Sequence, residues 1–299
     1  MAGEVPGTDG PRNTGSILRI ERSLGGYLRH WLVLAVLVGI VAGVGAIAFY
    51  WLIQAATAFF LGSLAGYIPP EPFGEGNRPG TGFGRPWLLP LVVALGGLLS
   101  GLLVFFLAPE AEGHGTDAAI EAFHEKGGRI RARIPPIKLI ASAITIGSGG
   151  SAGREGPTAQ ISAGFGSVLG DMLKLEDNER RILVAAGIGA GIGAIFRAPL
   201  GGAVLAAEIL YLRDLEVGAL LPGLIASIIG YSIFGSWVGF EPIFGAQPGL
   251  GFSQPVELVY YALLGIICGV VGILYAKVFY GTTDFFHHRV PLPRWVKPA

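Results

Sequence analysis

The sequence predicts an all-α, polytopic membrane protein, and three observations carry this reading. Of the 299 residues, 52% are hydrophobic and only 14% charged, with a mean hydropathy of +0.59, whereas a soluble domain carries about a quarter charged residues. Several apolar runs approach the roughly 20 residues that a helix needs to cross a bilayer core about 30 Å thick. The 49 glycines follow no collagen period and sit among apolar neighbours, as in closely packed or broken membrane helices. The same composition excludes other classes. A net charge of +0 leaves no electrostatic footprint for nucleic acid. The single cysteine, Cys268, rules out a disulfide framework and is expected to be a buried, inert thiol. No P-loop lysine, zinc-ligand spacing or paired His/Cys set occurs, so neither metal nor cofactor is expected.

Residues 1–28 form a polar, Pro/Gly-rich tail without a signal-cleavage pattern. Arg12, Arg19, Arg22 and Arg29 precede the first apolar run, which places the tail on the cytoplasmic side. Apolar segments then fall at about 31–67, 86–108, 135–150, 155–173, 181–196, 199–212, 215–236 and 255–286. The first would extend about 55 Å as a helix, so it is expected to tilt strongly or to end in an interfacial piece. The short segments, interrupted by glycine and proline, are expected to stop at mid-membrane, where many transporters build ion sites. The loop at 68–85, with Glu71, Glu75, Arg78 and Arg85, is charge-balanced and expected outside. The basic stretch with Lys126, Arg129, Arg131, Arg133 and Lys138 is expected inside.

Gly39–Phe60 lies over Gly265–Phe286 without a gap: Gly39 meets Gly265, Gly43 meets Gly269, Thr57 meets Thr283, and both copies end in Phe-Phe. Glycine-spaced apolar helices look alike by composition, but the matched ends favour duplication.

Three stretches carry candidate chemistry. In "GSGGSAGREGP", Gly147–Pro157, glycines precede a proline-marked helix start at about Glu155. Its free N–H groups and positive dipole end form an anion site by construction, one that the Glu155 carboxylate could itself occupy. Arg154 beside it must be neutralised or held by backbone carbonyls. In Pro109–Gly128, Gly113-His114-Gly115 precede a short amphipathic helix with Asp117 and Glu121 in its first turns; an anion loop and an ordinary capped interfacial helix both fit. In Ala185–Leu210, two half-length helices are expected to meet at Arg197-Ala198-Pro199. Glu208 there is a lone acid in an apolar stretch, either a proton-pathway residue or a structural acid near a helix end. Two look-alikes are set aside. Gly147, Gly149 and Ala152 fit a loose dinucleotide fingerprint, but no βαβ pattern surrounds them. Gly149–Gly153 fits a nucleophile elbow, making an intramembrane serine hydrolase using Ser151 a remote alternative, because no histidine is placed to face it.

These residues resemble those of the ClC family of chloride channels and proton/chloride antiporters. The likeness rests on "GREGP" at Gly153–Pro157, on "PEAEGHG" and "RIPPIK" upstream, and on "AIFRAPLGGAVLAAEIL", and it extends over nearly all of residues 30–299. The resemblance implies a homodimer in a cell membrane, with one pathway for chloride or a similar anion per subunit. It also implies two inverted repeats of broken, tilted helices. Glu155 would be the gating glutamate, with Gly113, His114, Gly115, Gly153, Arg154, Gly156 and Pro157 around the anion. Three departures stand out. His114 replaces the serine of the family's Gly-Ser-Gly-Ile-Pro loop and Thr116-Asp117 replace Ile-Pro, which leaves anion selectivity open. Glu208 is followed by Ile209 where many antiporters carry a second glutamate, so the expectation is a voltage-gated-type anion channel, with proton/chloride antiport as the alternative. The family's later Gly-x-Phe-x-Pro loop and inner-gate tyrosine have no counterpart before Ala299. The expectation is therefore a tail at 1–28, a first repeat at 29–254, and the opening helix of a largely missing second repeat at 255–299.

Overall fold

The computed structural model describes residues 14–211, 213–243, 245, 251–252, 254–293 and 295–298, with side chains from residue 29 onward. Arg12 and the side chains of Arg19 and Arg22, on which the cytoplasmic assignment leans, lie outside the described residues. Every regular element among those residues is helical. Helix α1 runs from Thr14 to Thr57, beginning inside the predicted tail because no proline interrupts residues 14–28 ahead of the apolar run. It continues through a wider π-helical segment, Ala58–Ala65, and stops at Gly66, whose φ of 67° is left-handed. The long first segment is thus one rod.

The remaining helices are α2 (Leu89–Leu107), α3 (Thr116–Glu125), α4 (Ile134–Gly147), α5 (Glu155–Met172), α6 (Asp177–Ile195), α7 (Pro199–Glu208), α8 (Val217–Val238) and α9 (Glu257–His288). Proline opens α4 and α7 where the missing N–H costs nothing. Among the described residues four stretches, 29–65, 86–107, 217–238 and 257–288, are long and apolar enough to cross a membrane. The expectation of two half-length helices around Arg197 holds only for α7, at 10 residues; α6 has 19. Its start lies upstream because Glu176 and Glu179 form a capping box ahead of the apolar run.

Helix α6 is the centre of the molecule, buried continuously from Leu183 to Ile195 and packed by α1, α5, α7 and α8. Small residues on every face make this possible. A Cβ built on Gly191 would sit 2.1 Å from Ser162 Oγ of α5, and one on Gly193 would sit 2.0 Å from Ser227 Oγ of α8. Ser227 Oγ in turn donates to the Pro199 carbonyl at 2.8 Å, so the polar group is satisfied inside the core. At the other end of α6, buried Arg180 bonds Asp177 at 2.6 Å and Asp171 at 3.0 Å and donates to the Gly127 and Leu175 carbonyls. That corner pins the basic 126–133 loop under the α5–α6 turn.

The two stretches that match in sequence, Gly39–Phe60 and Gly265–Phe286, pack differently. A Cβ on Gly39 of α1 would lie 2.7 Å from the Ala226 carbonyl of α8, whereas its counterpart Gly265 in α9 has nothing within 4 Å. No residue of α9 is buried. Cys268 is consequently exposed, correcting the expectation of a buried thiol: it lies on a helix that no other described helix covers. Gly39→Leu should therefore destabilise the detergent-solubilised protein by about 1–3 kcal/mol through overpacking, read as a lowered Tm. Gly265→Leu should leave the Tm unchanged.

Candidate functional site

The site is built from two helix starts. Helix α4 ends at Gly147, and the glycine-rich turn that follows, with Gly149 at φ 95°, cannot continue it. Helix formation resumes at Glu155, and Thr158 N–H makes an early bond of the new helix, to the Arg154 carbonyl at 3.1 Å. The N–H groups of the first turn have no intrahelical acceptor and point towards the preceding loop. Helix α3 begins after Gly115, whose φ of 107° only glycine adopts at ease.

These two starts touch. A Cβ on Gly156 would lie 2.2 Å from the His114 carbonyl oxygen, and one on Gly115 would lie 2.8 Å from that of Gly156. Backbone packs on backbone, and the N-termini of α3 and α5 open on a common cavity of about 760 Å³. Gly113, His114, Gly153, Glu155, Gly156 and Pro157 all line it, so six of the predicted site residues are brought together. Tyr275, Phe279 and Tyr280 of α9 form part of its wall. Glu155 is exposed to this space, and its carboxylate leans back over the loop, with Oε2 3.6 Å from where a Cβ on Gly153 would be.

Three predicted residues stand elsewhere. Gly115 does not line the cavity but supplies the contact with Gly156. Arg154 turns away and pairs with Glu75 at 2.8 Å; that carboxylate belongs to the 68–85 loop and is 7% exposed. A carboxylate, rather than backbone carbonyls, neutralises this arginine. Glu208 is the last residue of α7, is exposed, and does not line the cavity. Ser151 does line it, but among the described residues no hydrogen bond joins it to an imidazole, so the arrangement an acylating serine requires is not formed.

The reading from sequence missed one buried cation. Lys138 of α4 lines the cavity, is 3% exposed, and donates from Nζ to the Ala111 carbonyl at 2.9 Å and the Gly113 carbonyl at 2.5 Å. In the sequence it looks like one more basic residue of the loop; its signal is the two prolines before it, which start a helix and carry the lysine one turn inside. Among the described residues no carboxylate pairs with it, so an ammonium held by neutral carbonyls faces the same space as Glu155. Nor does any group of His, Cys, Asp and Glu among the described residues have the arrangement to hold a metal ion.

Known proteins share this architecture. The family model described as voltage gated chloride channel matches residues 96–299. The chain belongs to this family, the ClC family. Among curated ClC relatives, the H(+)/Cl(-) exchange transporter ClcA of Cronobacter sakazakii is 31% identical over 277 residues, 89% of this chain and 55% of ClcA. An uncharacterized protein of Methanocaldococcus jannaschii is 28% identical over 285 residues, 94% of this chain and 63% of that protein. The chain thus spans less than two thirds of the length of these relatives. Among solved structures, a slow cyanobacterial Cl-/H+ antiporter superposes with a TM-score of 0.71 at 26% identity, covering 90% of this chain and 61% of that one. A CLC-type fluoride/proton antiporter shares the fold with a TM-score of 0.74 at 22% identity, covering 90% and 62%. All-helical ClC architecture is therefore established for this chain.

Removing one partner of the Arg154–Glu75 pair strands a charge beside the α5 start. Arg154→Gln should lower unfolding stability by on the order of 3 kcal/mol, and adding Glu75→Gln should restore much of the loss. Equal destabilisation in the single and double variants would remove this coupling.

Proposed function

We propose that this chain lines the pathway of a proton-coupled antiporter for chloride or a similar small anion, working in a cell membrane as a homodimer with its N-terminal tail cytoplasmic. The observation that carries this reading is the juxtaposition, in one cavity, of the Glu155 carboxylate, the α5 N-terminus and the Lys138 ammonium. An anion is favoured there by two separate effects. The helix N-terminus contributes about 0.3–1 kcal/mol. The Lys138 ammonium adds a positive charge to the wall of the same cavity. Glu155, anchored at the same helix start, competes with the anion while ionised and yields its place when protonated. Occupancy by proton and anion is thereby linked. The names of ClcA and of the cyanobacterial structure support exchange rather than passive conduction.

A second reading, an anion channel gated by Glu155, is favoured by Ile209 following Glu208 and by the position of Glu208 outside the cavity. Reconstitution separates the two. In liposomes with an imposed anion gradient, the wild-type chain should move protons against it, and Glu155→Gln should abolish proton movement and flatten the pH dependence of anion flux. Glu155→Gln with unchanged proton movement and unchanged pH response would sink the gate assignment. Lys138→Met should weaken anion binding by at least about tenfold, measured by calorimetric titration with chloride, while Lys138→Arg should retain part of it.

A further inference from the structure

The loop between α1 and α2 is fastened both to itself and to the rest of the molecule. Gly84 N–H donates to the Gly66 carbonyl at 3.1 Å, Thr81 N–H to that of Ile68 at 2.9 Å, and Glu71 N–H to that of Arg78 at 3.1 Å. This ladder carries the short turn Phe73–Glu75 at its tip. The tip is docked from two sides. Gly74 N–H donates to the Ile243 carbonyl at 2.9 Å, and the Gly74 carbonyl accepts from Arg197 Nη1 at 2.8 Å. Arg197 is itself held at φ 55°, in the left-handed region, just ahead of α7. Glu75 is thereby delivered to Arg154 at 2.8 Å, with its side chain 7% exposed. Neither residue lines the cavity, yet Arg154 directly precedes Glu155, their Cα atoms about 3.8 Å apart. A full positive charge stands next to Glu155, cancelled by an acid brought in from the 68–85 loop.

We propose that Glu75 is a positioning residue of the anion pathway: by holding and neutralising Arg154, it sets the pH at which Glu155 yields its place to the anion. This role rests on Glu155 acting as the gate, as read above. A cation left unpaired beside a carboxylate favours its ionised form, and an unpaired carboxylate disfavours it. The pair exerts neither effect in full, because charges 2.8 Å apart largely cancel beyond their immediate surroundings. Other ionisable groups face both partners. In the cavity Glu155 is accompanied by Lys138 of α4, by His114 and Glu112 of the segment before α3, and by Tyr275 and Tyr280 of α9. On the side of the pair, the loop carries Glu71 and Arg78, 3.7 Å apart, and the docking segments carry Arg197 and the exposed Glu241. None of these groups changes when either partner of the pair is replaced. Shifts of opposite sign in the two single variants are therefore a property of the pair alone.

The test follows chloride efflux from liposomes holding the full chain, with the pH kept equal on both faces and varied. Flux rises as Glu155 is protonated, and the pH of half-maximal flux is the readout. Glu75→Gln leaves Arg154 unpaired and the ionised Glu155 favoured, so the midpoint should move about one unit to lower pH. Arg154→Gln leaves Glu75 unpaired and should move the midpoint to higher pH. The double variant should return to the wild-type midpoint. A purely structural pair would lower the amount of active protein in the single variants and leave the midpoint where it is. An unmoved midpoint in a folded single variant, or shifts in the same direction in both, would overturn the proposal. Because the two expected signs are opposed, either variant decides where only one of them folds. Wild-type flux without pH dependence, or Glu155→Gln with the wild-type pH dependence, would instead overturn the gate, and the role of Glu75 with it.

Discussion

Direct contact between backbones, permitted by side chains no larger than a methyl or hydroxymethyl group, is the constraint on which this structure depends. Apolar side chains gain little by leaving lipid, so close approach and buried hydrogen bonds must hold membrane helices together. Helix α6 meets that requirement on all sides: Gly191 admits Ser162 of α5 and Gly193 admits Ser227 of α8. Once α5 is seated against α6, its N-terminus has a fixed address. The contact of Gly156 with the His114 carbonyl then brings the α3 start to the same place. The cavity is a consequence of that chain of contacts.

The distribution of charge follows from the same packing. Arg154 has Glu75, Arg180 has Asp171 and Asp177, and Arg131 has Glu110. Arg180 is buried and Arg154 half-buried, where an unpaired charge would be costly, while the Arg131 pair is exposed. Lys138 differs from these pairs, as does Arg197, which donates to the Gly74 and Glu241 carbonyls: the partners of Lys138 are two carbonyl oxygens of the 111–113 segment. Those bonds do not cancel its charge; they hold the segment in place and leave a positive field over the cavity. Glu155 is the carboxylate at the start of α5 in that field.

Much of the fold was legible in the chain. Apolar runs bounded by glycine and proline located α2 and α4 to α9 within a few residues, because membrane helices must be both apolar and uninterrupted. The pairing of the Gly113 and Gly153 loops was legible only through the family resemblance. What escaped has identifiable causes. The start of α1 at Thr14 was hidden because polar residues propagate a helix without showing periodicity. Lys138 was hidden because a lysine next to a basic loop looks like part of it. Cys268 was assigned to the interior because its neighbours are apolar, yet α9 is apolar on every side and buried on none.

The sequence by itself determined that this is a helical membrane chain with a glycine-rich break before Glu155, since hydropathy and backbone freedom are local properties. Only the tertiary structure decided which charges come together: that Arg154 serves Glu75, that Lys138 and Glu155 line one cavity, and that Glu208 does not line it. The reason is physical. Electrostatic partnership depends on distance through space, and residues as far apart in the chain as Glu75 and Arg154 are brought within 2.8 Å only by the packing of helices between them.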